Sequence, residues 1–152
     1  MHIGNYIDMV QRTGEDLSKG FRMVAKDHGD EPDVEETCLL LASWTDILVE
    51  KIQPFSTKYG KNKNKEPDRL MNTLFKAPRK GSMGLLRDLQ DLWLMSNEAQ
   101  VCCIILRQAA SALHDQELIG VCDEIEATAK RQASWLLTRM KASATQTLIA
   151  AD

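Results

Sequence analysis

Histidine is scarce in this 152-residue chain, and its three copies are poorly placed for metal chemistry. Helical proteins that hold iron or manganese in their interior pair inward carboxylates with Glu-x-x-His motifs. None of His2, His28 and His114 lies three residues after a Glu or Asp, so that motif is absent. The four cysteines, Cys38, Cys102, Cys103 and Cys122, include no Cys-x-x-Cys, and no histidine stands at zinc-finger spacing. There is no Gly-x-Gly-x-x-Gly, and Gly81-Ser82-Met83-Gly84 is too short for a phosphate loop and lacks its lysine. No uncharged apolar run approaches the roughly 20 residues that span a bilayer. The longest candidate, Leu39 to Val49, is broken by Asp46. Met1-His2-Ile3-Gly4 opens no basic segment followed by an apolar stretch, so no signal peptide is read and the default address is cytoplasmic.

What the chain has is ordinary globular composition, 43% apolar and 27% charged, in one domain long enough to bury a core. Its net charge of −3 is uneven. Residues 58 to 80 carry eight Lys or Arg against two acids, which leaves the remainder at −9. That basic segment holds only Tyr59 and Phe75 as aromatics, so it reads as a solvated loop rather than a nucleic-acid surface. Cys38, Cys103 and Cys122 fall on apolar stripes, where a reduced thiol behaves as a small hydrophobe.

Apolar residues recur at spacings of three and four over four long segments, which predicts four helices at about 4–28, 33–59, 82–113 and 115–141. The first stripe is Ile3, Ile7, Val10, Gly14, Leu17, Phe21 and Val24, and Gly29 offers a left-handed stop. Asp30 or Asp33 is placed to cap the second helix, with Pro32 in its first turn. Its stripe runs Val34, Cys38, Leu41, Thr45, Leu48, Ile52, Phe55, and Pro54 should kink it or end it early. The third stripe is Leu85, Leu89, Leu92, Ser96, Ala99, Cys103, Leu106, Ala110 and Leu113. The fourth begins after a cap at Asp115 and runs Leu118, Cys122, Ile125, Ala129, Gln132, Leu136. The short link between helices 1 and 2 implies an antiparallel hairpin. Residues 60–81 are long enough to cross the whole bundle and leave helices 2 and 3 parallel, with a short helix at Asp68 to Lys76 on the way.

Two features bear on function. Helix 3 has a second apolar face, Leu94, Val101 and Ile105 with Met95 and Cys102 beside them, and Glu98 sits within it. A helix apolar on two sides is buried twice or meets another subunit, so we expect a homodimer through Leu94, Glu98, Val101 and Ile105. Arg87 or Arg107 of a second subunit is a candidate partner for Glu98. The middles of the stripes, Gly14, Thr45, Ser96, Ala99, Ala129 and Gln132, form a small, weakly polar central layer. Such a layer means close helix approach, a cavity that would admit water, or a vestigial site. His28 and His114, beside Gly29 and Asp115, read as helix-end residues.

Two helical hairpins, a long crossover and mid-helix carboxylates make residues 3 to 140 resemble the ferritin-like superfamily. That resemblance implies an antiparallel four-helix bundle with a crossover between helices 2 and 3. It also implies metal positions, for which the nearest residues here are Glu15, Asp46, Glu98 and Glu126. The expected imidazoles are missing, since Val49 follows Asp46 and Ala129 follows Glu126 at the relevant spacing. The sequence therefore reads as a non-catalytic, cofactor-free, dimeric interaction or accessory bundle, with a possible protein partner. A carboxylate-only iron or manganese protein of stress protection, or a small-molecule carrier using the central layer, are the alternatives.

Overall fold

The computed structural model describes residues 1–63, 75 and 79–150. Within them the chain forms four α-helices, α1 (Ile3–Asp27), α2 (Pro32–Lys58), α3 (Gly81–Ala112) and α4 (Gln116–Thr145). A π-helical turn, Gln146–Ala150, follows. The expected short helix at 68–76 lies outside the described residues apart from Phe75. That residue has φ 57 and packs on the core.

Each helix buries its stripe. All six fourth-stripe positions of α4 are buried. On α3 the stripe is buried from Leu85 to Ala110, and Leu113 is exposed. Helix α3 packs against both α1 and α4, and this widens its buried arc. Met95 and Cys102, expected at the second apolar face, are therefore interior, and the Cys102 Sγ lies 3.5 Å from Met9 Sδ of α1. Helix α2 meets α1 on one side and α4 on the other.

Several helix ends differ from the sequence expectation. Helix α2 starts at Pro32 with Glu31 as N-cap and no side-chain cap, so neither Asp30 nor Asp33 takes that role. Asp33 instead accepts from Arg139 Nε of α4 at 2.7 Å. Gly29 does not adopt positive φ, whereas His114 does, at 55° in the turn joining α3 to α4. Pro54 neither ends α2 nor shortens it. It sits exposed in the last turns, while the buried Ile52 and Phe55 anchor the inner side of the helix.

The ends are tied to one another by polar contacts. Gly4 N–H donates to Asn62 O at 2.8 Å, bringing the start of α1 to the chain leaving α2. A Cβ at Gly4 would meet Tyr59 O at 2.5 Å, so the approach needs a glycine. At the same end Asp115 caps α4, accepting from Leu118 N at 3.1 Å, Lys58 Nζ at 2.8 Å and Tyr59 Oη at 2.7 Å. Burial raises the Asp115 pKa, but the hydrogen bonds from Lys58 and Tyr59 outweigh it and hold the carboxyl below its ordinary range. A depressed carboxyl stabilises the fold above its unfolded pKa of about 3.9, and the contribution fades as pH falls below that value. Asp115→Asn should therefore lower stability at neutral pH, with the deficit relative to wild type shrinking below about pH 4. Urea denaturation of the pair across pH 2 to 7 reads this directly, with about 1–2 kcal/mol expected at neutrality.

Candidate functional site

Of the six central-layer positions, five line one small cavity. Thr45, Ser96, Ala99, Ala129 and Gln132 are buried, and Gly14 is half-buried against Val49. Gly14, Thr45, Ala99, Ala129 and Gln132 line a shared cavity of about 20 Å³, which Ser96 does not reach. That volume suits a single water and falls far short of the several hundred Å³ of ligand pockets. Gln132 Nε2 donates to Thr45 Oγ1 at 2.8 Å and to Leu41 O at 3.3 Å, and Thr45 Oγ1 donates to Leu41 O at 2.9 Å. The polar groups of the layer are thus largely turned on each other across α2 and α4. Thr13 Oγ1 and Ser96 Oγ, on α1 and α3, are also buried and make no hydrogen bond among the described residues.

The four carboxylates implied by the resemblance do not converge. Glu15 is exposed on the rim of an open groove between α1 and α2, which it shares with Asp46 and Glu50. Asp46 is already occupied. Arg22 Nη2 lies 2.6 Å from its Oδ2, and Ser18 Oγ donates to its Oδ1 at 2.5 Å. Burial raises its pKa, and the Arg22 and Ser18 hydrogen bonds outweigh that effect and lower it. Glu126 pairs along its own helix with Lys130 at 3.2 Å. Glu98 is half-buried on α3. Among the described residues no three His, Cys, Asp or Glu side chains form a group able to hold a metal ion.

One polar cluster is not foreseen from the sequence. His28, expected only as a helix-end residue, does terminate α1 through its backbone N–H to Val24 O. Its ring, however, is 2% exposed, and its Nε2 lies 2.8 Å from Asp88 Oδ2 of α3. Arg79, just before α3, donates from Nη1 to Asp88 Oδ1 at 3.0 Å and to Asp91 Oδ2 at 2.5 Å. The hydrogen bond to Asp91, with that to Asp88, raises the Arg79 pKa further above its usual value. The signal was present: Asp88 stands inside the Leu85, Leu89, Leu92 stripe, where a carboxylate needs partners. The cluster ties the end of α1 to the segment entering α3 and to the first turns of that helix.

The remaining feature is a surface. Leu94, Val101, Ile104 and Ile105 of α3 are all exposed. At Ile105 this stripe runs into a groove of about 350 Å³ between the start of α1 and the end of α3, lined by Ile3, Tyr6, Leu106, Ala109 and Leu113 among others. Among the described residues no helix is long and apolar enough to cross a membrane. No protein-family profile, curated protein or solved structure matches this chain.

The central void is too small for added side-chain atoms, which gives a direct test of its packing. Ala129→Leu should destabilise the protein by about 1–3 kcal/mol, as overpacking of a close-packed core does. A urea midpoint equal to wild type would show instead that the layer yields to accommodate a ligand-sized group.

Proposed function

We propose that the chain is a ferritin-like helical bundle without catalysis of its own, working as an interaction module that pairs with a second copy through α3. The observation that carries this reading is the exposed apolar stripe of α3, Leu94, Val101, Ile104 and Ile105. Leu94, Val101 and Ile105 recur on one face of α3, and a large exposed apolar patch marks an interaction site.

The ferritin-like order is supported by the end-to-end contacts. The end of α1 meets the start of α3 at His28 and Asp88, and the end of α4 meets the start of α2 at Arg139 and Asp33. The end of α2 meets the start of α4 at Lys58 and Asp115. These contacts favour helices running up, down, down, up, with the crossover joining a parallel α2 and α3.

A second copy is the occupant that charge favours. At 100° per residue, Met83, Arg87, Leu94, Glu98, Val101 and Ile105 share one face of α3. Two such helices packed antiparallel near Leu94 place Arg87 of each copy beside Glu98 of the other, and Met83 beside Val101. The result is a self-complementary, two-fold contact. Charge reversal tests it. Glu98→Arg should weaken self-association roughly tenfold, about 1.4 kcal/mol spread over two symmetric sites. The double variant Arg87→Glu/Glu98→Arg should restore it, and Val101→Asp should leave monomer. Size exclusion with light scattering reads all three, and wild-type monomer at micromolar concentration would remove the dimer reading.

The carboxylate-only metal alternative finds little support in the dispersed Glu15, Asp46, Glu98 and Glu126, and the carrier alternative little in a void the size of one water. Protein loaded with Fe(II) or Mn(II) and desalted should retain well under one ion per chain by mass spectrometry. Stoichiometric retention that Asp46→Asn abolishes would replace the present reading with the metal one.

A further inference from the structure

Helices α2 and α4 pack against each other less closely than α1 with α2, α1 with α3, or α3 with α4. At 100° per residue, Trp44, Ile47 and Lys51 share one edge of α2, and Glu124, Thr128 and Arg131 share one edge of α4. All six line a single open groove of about 390 Å³ along the seam between the two helices. That volume falls within the range of small-molecule sites, unlike the void beneath it. Leu48 and Thr128 line both the groove and the central void, so the floor of the groove is the outer side of the central layer.

The groove is polar at one end and amphipathic at the other. Lys51 Nζ lies 2.7 Å from Glu124 Oε2, so those two charges cancel. Further along, Gln132 of α4 reaches Thr45 and Leu41 of α2, which brings their sequence neighbours Arg131 and Trp44 to the same stretch of the groove. Arg131 is exposed and has no acidic partner among the described residues. Two cations against one acid leave the groove with a surplus positive charge, and that charge stands near a half-buried indole and the 52% exposed Ile47. The open groove between α1 and α2 has the opposite character. There Glu15, Asp46 and Glu50 outnumber Lys19 and Arg22, and Val49 is the one apolar wall.

We propose that the α2–α4 groove binds a small aromatic carboxylate, with its ring on Ile47 and Leu48 beside Trp44 and its carboxylate paired with Arg131. Charge and shape select that class together. A flat ring covers the apolar floor and meets the indole in the offset or edge-on contacts that aromatic pairs favour. The planar guanidinium matches a carboxylate through two parallel hydrogen bonds. A neutral ring leaves the surplus charge unanswered, and a hydrophilic anion leaves Ile47 and Trp44 in water, so both halves of the ligand contribute. The groove is open and its ion pair is screened by solvent, which sets a modest Kd of about 1 mM for a ligand of this size. No residue of α3 takes part, so the assignment stands apart from the dimer reading.

The test titrates the whole, isotope-labelled chain with naphthylacetate and, separately, with the neutral naphthylethanol, following amide and indole N–H signals by NMR. The acid should move the Trp44 indole and the amides of Ile47, Thr128 and Arg131 saturably while the Trp93 indole stays in place. The alcohol should bind about fivefold more weakly. Arg131→Gln should weaken the acid about fivefold and leave the alcohol unchanged. Ala127→Trp, at another exposed position lining the groove, should fill it and remove binding of both. The proposal is overturned if the alcohol binds as tightly as the acid, or if Arg131→Gln binds the acid as the wild type does. It is equally overturned by shifts centred on the groove at Ile3 and Leu113, or by the lack of any saturating shift up to about 10 mM. Should a variant fail to fold, the comparison of acid and alcohol on the wild type decides alone.

Discussion

A buried charge must find partners within the protein, and the carboxylate of Asp88 shows how much of this bundle follows from that constraint. Its two oxygens face His28 Nε2 at the end of α1 and Arg79 Nη1 ahead of α3. One side chain thus fixes where α1 stops, where α3 starts, and which way the chain approaches it. Leaving such a group without its partners costs several kcal/mol, so other helix arrangements that separate these three residues are disfavoured. Asp115 acts in the same way at the opposite end, where it joins the last residues of α2 to the first turn of α4. Apolar stripes make the four helices adhere, but they are nearly interchangeable as surfaces. The two anchored carboxylates make the arrangement particular.

Much of the architecture was legible because period and punctuation agree. The six α4 positions from Leu118 to Leu136 were readable from spacing alone, and all are buried. Asp115 was readable as a cap because a short acceptor at that position meets unpaired N–H groups. What escaped the sequence depended on neighbours distant in the chain. The interior position of Cys102 follows from Met9, 93 residues away, and no local pattern carries that information. Pro54 was read as a breaker because the penalty it imposes is local, whereas the burial of Ile52 and Phe55 that holds the helix together is tertiary. His28 was read from its place at a helix end, and its deeper role needed knowledge of what lies across from it.

The candidate site follows the same division. The small central residues suggest a layer from their spacing, and all but Ser96 line one small void. Their use in closing the bundle rather than holding a ligand was not legible, since it rests on Gln132 reaching Thr45 and Leu41 across helices. The dispersal of Glu15, Asp46 and Glu126 follows from their spacing, one position off the buried stripes, and from nearby cations. Arg22 and Lys130 neutralise carboxylates that would otherwise be left for an ion.

The buried apolar residues fall into two separate clusters. One surrounds Phe21, Leu89 and Leu136, and the other surrounds Ile7, Leu106 and Leu118. The polar central layer lies between them, so each helix passes through two hydrophobic compartments along its length. Cooperative opening in such a molecule divides across the long axis of the bundle rather than helix by helix. Amide protons near the middle of every helix would then mark the boundary between two zones that exchange with solvent independently. A segment of α3 would share its fluctuations with the facing segment of α1 more closely than with its own far end.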